Sequence, residues 1–303
     1  MVDFLLLGTG GGMPMPQRFL SASLIMYKGR KILIDCGEGT QVSMRLCNTG
    51  FKTIDVICIS HIHGDHIVGL PGLLGTIGNS GRTEPITIIG PEGISKAVNG
   101  LRAIVEWLPY EINIIENPKE TMAFMDNEIE ISFLEVDHSA ACLGYSFYIK
   151  RTPRFDVENA LKNNVPKTIW NILQKKKESV EIDGVVYKRE MVMGDERRGI
   201  KISLVTDSRP CSNIPEFIKE SNLFICEGTY GSDDDIEKAV KNKHMTFREA
   251  AALAYEGNVK KMLLTHFGTA MTEPEAYEDN AREVFENTLI GTDRLKLTLD
   301  FDS

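Results

Sequence analysis

The sequence lacks any long apolar segment and any recognisable targeting leader. No stretch approaches the roughly 18 apolar residues that a membrane-spanning helix needs, and the start, Met1–Gly8, has neither a basic leader nor a long apolar core. These absences predict an untargeted cytoplasmic protein with no membrane partner. The mixture of 42% hydrophobic and 25% charged residues over 303 positions is typical of a globular chain with a sizeable core.

Paired cysteines are also missing. None of the six cysteines forms a Cys-x-x-Cys pair, and some, such as Cys58, lie inside apolar runs. The pattern favours reduced, mostly buried thiols over disulfides or a thiolate zinc site. The six are Cys36, Cys47, Cys58, Cys142, Cys211 and Cys226.

Positive charge is scarce overall but segregated along the chain. The net charge of −9 has the wrong sign for a protein that coats itself in nucleic acid. Between Arg151 and Lys201, however, 12 Lys and Arg face 8 Asp and Glu, so this segment carries +4 and the remainder −13. Any binding of RNA must therefore depend on local charge, and the basic segment is the place for it.

Short apolar runs of strand character alternate with helical stretches, which predicts a layered α/β fold. Thr246 with Glu249 three residues later predicts a capped helix start, and Gly257 suits the end of that helix. The segment from Arg151 to Arg198 mixes charge and proline with only short apolar pieces, so we interpret it as an insertion or arm. Predicted strands include Asp55–Ile59, Ile129–Val136, Ile202–Thr206, Leu223–Cys226 and Lys261–Thr265, and predicted helices are Thr40–Leu46, Leu70–Ile77, Gly93–Val105, Phe247–Tyr255 and Ala276–Thr288.

The histidine-rich segment His61–His66 follows the predicted buried strand that ends at Ile59. His61, His63 and Asp65 are spaced by two, and Gly64 permits a tight turn. A turn at a strand end allows imidazoles and a carboxylate to converge, and such ligands suit zinc, with bonds of about 2.0–2.2 Å. An isolated histidine is more often a surface or satisfied core residue, but the clustering reverses that expectation and predicts a metal site.

Three further candidate ligands follow other predicted strands. His138 comes after Ile131–Val136, His266 comes after Lys261–Thr265, and Asp207 comes after Ile202–Thr206. Ligand sites in open α/β sheets lie at the ends of strands. From the residues alone, Asp207 could equally be an ordinary turn residue.

The segment His61–His66 matches the His-x-His-x-Asp-His signature of the metallo-β-lactamase superfamily. From near its start to about residue 290 the chain resembles the ribonuclease Z family more narrowly. The matching segments are Leu7–Gly10, Ile34–Gln41, Ile59–Leu74, Thr206–Pro210 and Leu264–Phe267. The resemblance implies a four-layer αββα sandwich, with residues 1–303 as a single metallo-β-lactamase-like domain and a basic arm inserted at about 151–200.

The same resemblance implies two Zn²⁺ ions per chain, with Mn²⁺ as the alternative. It assigns one metal to His61, His63 and His138, and the other to Asp65, His66 and His266, with Asp207 as the bridging ligand. It also makes Asp65 the residue that orients and deprotonates the attacking water. Two cations lower the pKa of that water and hold the attacking and leaving oxygens of a phosphodiester.

Two further catalytic residues come from the resemblance. A ribose 3′-oxygen is a poor leaving group and benefits from a proton donor. In the ribonuclease Z family a histidine oriented by a glutamate has this role, and the matching positions here are His244 and Glu227. From the residues alone, Glu227 could be a helix cap or a surface carboxylate, and His244 an exposed loop histidine.

The inserted segment contains Lys175, Lys176 and Lys177, with Trp170 upstream. Lysines hold RNA phosphates without fixed geometry, although a charge run is more often only a solvated face. The family resemblance favours RNA, because ribonuclease Z enzymes hold the tRNA elbow with a basic arm, and it implies a homodimer in which one arm serves the partner's site. The chain departs from the family pattern in having only Asn163–Lys167 where a Gly-Pro-rich stretch is usual, and Gly268–Met271 where Ser-x-Arg-Tyr is usual.

The glycine-rich segment Gly8–Met13 does not complete a dinucleotide-binding pattern, because Met13 stands at the third glycine position. We interpret it as a tight turn near the site. Together these features predict a zinc-dependent endoribonuclease that removes 3′ trailers from tRNA precursors and leaves a 3′-hydroxyl on the tRNA. The alternatives are a hydrolase of the same fold acting on a small ester, lactam or phosphodiester, and a binding protein that kept the fold for RNA or partner contact.

Overall fold

The computed structural model describes residues 1–105, 107–175 and 179–302 of the chain. Its strands are β1 (Val2–Gly8), β2 (Ala22–Tyr27), β3 (Arg30–Ile34), β4 (Ile54–Cys58), β5 (Ile86–Gly90), β6 (Ile112–Glu116), β7 (Met122–Phe124), β8 (Ile129–Glu135), β9 (Leu143–Arg151), β10 (Val180–Ile182), β11 (Val185–Tyr187), β12 (Arg197–Val205), β13 (Leu223–Glu227), β14 (Met262–Thr265), β15 (Thr288–Ile290) and β16 (Leu295–Leu299). Its α-helices are α1 (Thr40–Leu46), α2 (Gly64–Ile67), α3 (Leu70–Asn79), α4 (Ile94–Arg102), α5 (Val157–Lys162), α6 (Trp170–Lys175), α7 (Ile214–Ile218), α8 (Ile236–Asn242), α9 (Phe247–Glu256) and α10 (Glu278–Arg282). None of the described helices is both long and apolar enough to cross a membrane.

The first compact unit, Met1–Tyr148 with Ile200–Asp300, contains two seven-stranded sheets. The first sheet has the order β16-β1-β2-β3-β4-β5-β6, with parallel pairing from β3 through β6. The second has the order β15-β14-β13-β12-β9-β8-β7, with parallel pairing from β12 through β15. The parallel strands carry nearly continuous apolar runs, as expected of strands that are covered on both faces.

Each sheet is covered on its outer face by helices. Met44 of α1, Leu73 of α3 and Val98 of α4 pack into one apolar cluster with the first sheet. Residues of α7, α9 and α10 form the corresponding cluster with the second sheet. Where the inner faces of the two sheets meet, the hydroxyl of Tyr145 on β9 donates to the carbonyl of Ile59 at 2.7 Å, just past β4. This is the four-layer αββα sandwich that the family resemblance implies, and it agrees with the layered α/β fold predicted from the residues.

Strand register explains why the candidate ligands meet. Ile34 pairs with Cys58 across β3 and β4, so the residues that follow both strands emerge at the same edge of the first sheet. In the second sheet, Cys226 pairs with both Val205 and Leu264, so β12, β13 and β14 also end together. Parallel alignment therefore brings residues that are distant in sequence to common edges.

The second unit comprises Ile149–Gly199 together with the chain from Phe301. It contains α5, α6 and the β10–β11 hairpin, which turns through Asp183 and Gly184, both with positive φ. Its small apolar cluster includes Leu173 and Val192. Trp170 packs beside this cluster, and its indole N–H donates to the carbonyl of Val165 at 2.9 Å, so its ring stabilises the unit.

Several predicted elements are confirmed, while others need correction. Helix α1 has the predicted bounds, and α9 begins at the predicted capping box, in which Thr246 and Glu249 bond reciprocally. The predicted helix Ala276–Thr288 is wrong in extent, because the α-helix covers only Glu278–Arg282 and Thr288 begins β15. All six cysteines are free, and four of them are buried.

Candidate metal centre

The segment His61–His66 leaves the end of β4 as predicted but does not remain a simple turn. His63 is the N-cap of the short helix α2, which contains Asp65 and His66. The helical turn separates the pairs: His61 and His63 precede it, while Asp65 and His66 lie on it. The residues converge as the sequence predicts, but the local backbone is partly helical, because the four-residue helix α2 begins at Gly64.

The first ligand cluster contains His61, His63 and His138, whose facing nitrogens lie within 4.8 Å of one another. Nε2 of His61 lies 3.0 Å from Nδ1 of His63, and Nε2 of His138 lies 3.2 Å from the same nitrogen. Tetrahedral zinc with bonds of about 2.0–2.1 Å places its ligands roughly 3.3 Å apart. The spacing therefore fits three imidazoles around one cation.

The second cluster contains Asp65, His66 and His266. Oδ2 of Asp65 lies 3.4 Å from Nε2 of each histidine. The two imidazole nitrogens are 3.2 Å apart. This group has the spacing of a second cation site, with two nitrogens and one carboxylate.

Asp207 lies between the two clusters and presents one oxygen to each. Its Oδ1 is 3.4 Å from Nε2 of His66 and 3.2 Å from Nε2 of His266. Its Oδ2 is 3.7 Å from Nε2 of His61 and 3.9 Å from Nε2 of His138. A carboxylate in this position can bridge two cations, and its side chain is only 4% exposed.

The second nitrogen of each Nε2 ligand has a polar partner. Nδ1 of His66 lies 2.8 Å from Oδ2 of Asp35, and Nδ1 of His61 lies 3.1 Å from the hydroxyl of Ser60. That hydroxyl in turn donates to Asp35 at 2.9 Å. Such partners fix the ring orientation and tautomer of metal-binding histidines.

Two further partners act on the remaining histidines. Nδ1 of His138 lies 3.2 Å from the carbonyl oxygen of Lys243, and Nδ1 of His266 lies 3.1 Å from the hydroxyl of Thr229. Sequence reasoning assigned no such role to Ser60, Thr229 or Asp35. The position of Asp35 directly after the apolar run that ends at Ile34 was the available signal, since candidate ligands follow other strands in the same way.

The protonation states of His61 and of the two carboxylates suit metal binding. Burial lowers the pKa of His61 to about 2, so its imidazole is neutral and can act as a ligand. Burial would raise the pKa of Asp65, but hydrogen bonds with His266 and His66 outweigh it and hold this pKa well below the usual range. Burial acts in the same way on Asp207, and the neighbouring imidazoles again keep its pKa low. Both carboxylates are therefore ionised at neutral pH. Burial would lower the pKa of His66, but the charges of Asp207 and Asp35 raise it well above its usual value, so His66 must release a proton to bind a metal.

The glycine-rich segment after β1 lies directly on the second cluster. The backbone N–H of Gly12 donates to Oδ2 of Asp65 at 2.7 Å. Residues 9–19 are in turn held by Asp293, whose carboxylate accepts from the backbone N–H groups of Thr9 at 2.9 Å and Phe19 at 2.7 Å. The expectation of a tight turn near the site agrees with this position, and the turn orients a candidate ligand.

His244 and Glu227 form a pair beside the clusters. Nδ1 of His244 lies 3.1 Å from Oε2 of Glu227, which is fully buried at the end of β13. The carboxylate also accepts from the backbone N–H of Ser208 at 2.6 Å and from that of Met245 at 3.1 Å. These bonds fix Glu227, so Glu227 is neither a helix cap nor a surface group.

His244 abuts the candidate ligands. One of its ring nitrogens lies within 4.8 Å of ligand atoms of His138 and Asp207. Burial alone would lower the pKa of His244, but the charge of Glu227 and its hydrogen bond raise this pKa to about 9. The imidazole is therefore protonated at neutral pH and can donate a proton next to the clusters.

Of the predicted RNA-binding lysines, the structure describes one. Lys175 is the exposed last residue of α6 in the second unit, while Lys176 and Lys177 lie outside the described residues. All other site residues predicted from the sequence, including His244 and Glu227, converge in the first unit. The donor set of imidazoles and carboxylates, with its supporting hydrogen bonds, fits two divalent cations.

Comparisons with known proteins agree with this geometry. A family model described as "Anti-Pycsar protein Apyc1" matches residues 2–156. The chain is 68% identical to a protein named ribonuclease Z from Clostridium beijerinckii, over 100% of this chain and 99% of the relative. It is 58% identical to ribonuclease Z from Clostridioides difficile, over 100% of both chains.

Solved structures show the same fold at low sequence identity. The short form of human tRNase Z is 23% identical and superimposes with a TM-score of 0.70, covering 99% of this chain and 100% of the human one. The metallo-β-lactamase-fold protein YhfI from Bacillus subtilis is 18% identical with a TM-score of 0.71, covering 98% and 100% of the two chains. Because it is 58–68% identical to these relatives over its whole length, and because residues 2–156 match the Apyc1 model, the chain belongs to the ribonuclease Z family and to the family of that model.

Proposed function

We propose that this chain cuts the 3′ trailer from tRNA precursors by two-metal phosphodiester hydrolysis, leaving a 3′-hydroxyl on the tRNA. As a member of the ribonuclease Z family it is a metal-dependent endoribonuclease. The observation that carries the mechanism is the position of Asp207, which offers one oxygen to each ligand cluster beside the His244–Glu227 pair.

Two Zn²⁺ ions per chain fit the site best, with Mn²⁺ as an alternative. His61, His63 and His138 would hold one, Asp65, His66 and His266 the other, and Asp207 would be shared. When bound, the metals supply an activated water and neutralise charge on the scissile phosphate. The oriented imidazoles, among them the neutral ring of His61, and the two ionised carboxylates are what this chemistry requires of the protein.

Asp65 is the proposed proton acceptor for the attacking water. Its side chain is 11% exposed, so its carboxylate can reach a small molecule in the site. The N–H of Gly12 fixes Oδ2 from the loop side. This contact orients the carboxylate, while the hydrogen bonds with His266 and His66 outweigh burial and keep it ionised until a proton is transferred to it.

His244 is the proposed general acid. Glu227 engages Nδ1, so Nε2 is the ring nitrogen that can donate its proton to the departing 3′-oxygen of the ribose. The raised pKa keeps the ring protonated before cleavage. Glu227 acts through His244 as a positioning residue, since it is fully buried and saturated by hydrogen bonds.

The second unit is the proposed RNA-holding arm, inserted at about 151–200 into a single metallo-β-lactamase-like domain. Its support is the segregated charge of +4 in residues 151–201 and the lysine run that begins at Lys175. Lysines at this position can contact the backbone of the precursor without reading its sequence. Cytoplasmic tRNA precursors are the proposed substrate.

A homodimer is the proposed assembly. Ile104 and Trp107, in the segment after α4, are 81% and 80% exposed, and apolar side chains exposed to this degree favour burial against another protein surface. Light scattering should give twice the chain mass for the unmodified protein. Trp107→Glu should shift it toward the monomer if this segment lies in the interface.

The decisive experiment incubates the metal-loaded protein with a precursor tRNA and maps both new ends. A 3′-hydroxyl on the tRNA and a 5′-phosphate on the trailer are expected, and Asp65→Ala should abolish the cut. Persistent cleavage in Asp65→Ala, or none in the unmodified protein supplied with zinc or manganese, would refute the proposal. If the unmodified protein leaves precursor tRNA intact but turns over small esters or lactams rapidly, the alternative hydrolase is favoured.

A further inference from the structure

A separate pocket of about 350 Å³ lies beside the candidate metal centre. Its walls come from the segment after β13, from α8 and from the segment after β14. The lining includes Thr229, Tyr230, Lys238, Met271 and Tyr277, with small residues at positions 268–270 leaving the space open. Apart from Thr229, which orients His266, none of the described lining residues has a role assigned above.

Thr229 connects the pocket to the catalytic groups. Its hydroxyl donates to Oε2 of Glu227 at 2.6 Å and lies 3.3 Å from Nδ1 of His244 and 3.1 Å from Nδ1 of His266. The ring of the next residue, Tyr230, has its centroid 6.4 Å from that of His244. The pocket therefore adjoins the proton donor side of the site.

The lining chemistry is unsuited to a phosphate. Its charged members are Asp235 and Lys238, which pair with each other at 2.5 Å. The pocket therefore offers no unpaired cation among its described lining residues. The remaining walls are aromatic, small or apolar, which is the composition that receives a flat, uncharged ring.

Tyr277 supplies a fixed ring face. A β-carbon at Gly231 would lie 2.3 Å from Cγ of Tyr277, so the ring rests directly on this glycine. The ring also meets Phe247 edge to face at 6.4 Å between centroids. Tyr277 is still 40% exposed, so the rest of its surface is free to stack against a ligand.

We propose that this pocket receives the nucleobase immediately 5′ of the scissile phosphate, that is, the base of the last nucleotide of the tRNA product. This inference rests on the proposed function. In an in-line displacement the leaving 3′-oxygen belongs to that nucleotide, and His244 is its proton donor. The pocket adjoins His244 through Thr229 and Tyr230. The base within its reach is therefore the one on the ribose whose 3′-oxygen receives the proton.

The first test changes only the substrate. Single-turnover cleavage of a precursor tRNA is compared with cleavage of the same RNA lacking the base at that nucleotide. Since stacking of one base on an aromatic ring has a measurable effect, removal of the base should slow cleavage roughly 10- to 100-fold. A missing base one nucleotide further into the trailer should have a much smaller effect.

The second test changes the pocket. Tyr277→Ala should slow cleavage of the intact precursor, and base removal should then cause little further loss, because the two changes delete the same contact. Tyr277→Phe keeps the ring and should keep the sensitivity to base removal. Tyr255→Ala, at a 70% exposed tyrosine on α9 outside the pocket lining, is the matched control.

The outcomes separate the two proposals. Equal rates for the intact and base-lacking precursors would overturn the pocket assignment while leaving the proposed function in place. Fully additive losses in Tyr277→Ala and the base-lacking RNA would overturn it as well. No cleavage of the intact precursor would instead overturn the proposed function, and the pocket assignment with it.

Discussion

Gly11 lies in contact with the imidazole of His266. A β-carbon at position 11 would stand 2.5 Å from Cε1 and 2.7 Å from Nε2 of that ring. Position 11 therefore requires glycine, because any side chain there would collide with the ring of His266, a candidate metal ligand. This contact joins the two sheets, since β1 of the first sheet leads into Gly11 and β14 of the second sheet leads into His266.

Gly11→Ala is expected to displace His266 and weaken binding at the second cluster. Because the added methyl group meets the ring itself, the protein should retain its fold while losing metal from the Asp65–His66–His266 site. Metal content after gel filtration measures this loss. Gly100→Ala on α4, where a β-carbon meets nothing within 4 Å, is the control and should retain full metal content.

Asp35→Asn tests the residue that orients His66. Asparagine tolerates the positive φ of 57° at this position, so the backbone should not change. Loss of the carboxylate that accepts from Nδ1 of His66 should weaken metal affinity by about 10- to 100-fold. Titration with a competing chelator measures the affinity, with the exposed Asp234→Asn as control. Unchanged affinity would exclude this orienting role.

His244→Ala should lower the rate of precursor tRNA cleavage by about 10²- to 10⁴-fold, as expected for loss of a general acid. Hydrolysis of bis(p-nitrophenyl) phosphate should suffer less, since p-nitrophenolate leaves without needing a proton. Lys241→Ala, an exposed position on α8, should behave like the unmodified protein. Equal losses on both substrates would argue against an acid at His244.

Glu227→Gln should change the pH dependence of cleavage. The protonated form of His244 is the active one, so activity should persist below a pKa of about 9 and fall as the pH rises through it. Without the carboxylate that raises this pKa, the fall should move to lower pH. Single-turnover pH profiles on precursor tRNA measure the shift, and a movement to higher pH would contradict the assignment.

Replacing Lys175, Lys176 and Lys177 by alanine should weaken binding of the precursor without changing hydrolysis of bis(p-nitrophenyl) phosphate. If all three lysines neutralise phosphates, the slope of log affinity against log salt should fall by roughly 2 to 3. Filter binding at several salt concentrations measures this slope. A triple alanine variant at Lys52, Lys96 and Lys241 provides a control of equal charge change, and an equal effect there would leave no specific role for the arm.

The convergence of the candidate ligands could be predicted from sequence where they follow apolar strands. His138, Asp207 and His266 each come shortly after such a run, and parallel pairing brings the ends of neighbouring strands to one edge. The least accurate prediction was the helix Ala276–Thr288, which is broken because Thr288 pairs with Met262 as a strand. The local sequence favours a helix there, but tertiary pairing with β14 decides the outcome.

The inserted segment shows a different limit. The sequence places Trp170 upstream of the lysine run without assigning its ring a partner, and only the structure shows that the indole N–H is bonded to the carbonyl of Val165 beside a small apolar cluster. The hairpin turn at Asp183 and Gly184, by contrast, is encoded locally, since an Asp-Gly pair between apolar residues favours such a turn.

By itself the sequence determined the class of chemistry, because the spacing of His61, His63, Asp65 and His66 after a buried strand is rare outside metal sites. Only the tertiary structure decided how those groups are oriented. The partners that fix the rings, such as Asp35 and Thr229, come from other strands, and which carboxylate oxygen of Asp207 faces which cluster depends on the packing of two sheets. Local pattern specifies the donor atoms, whereas long-range packing specifies their geometry.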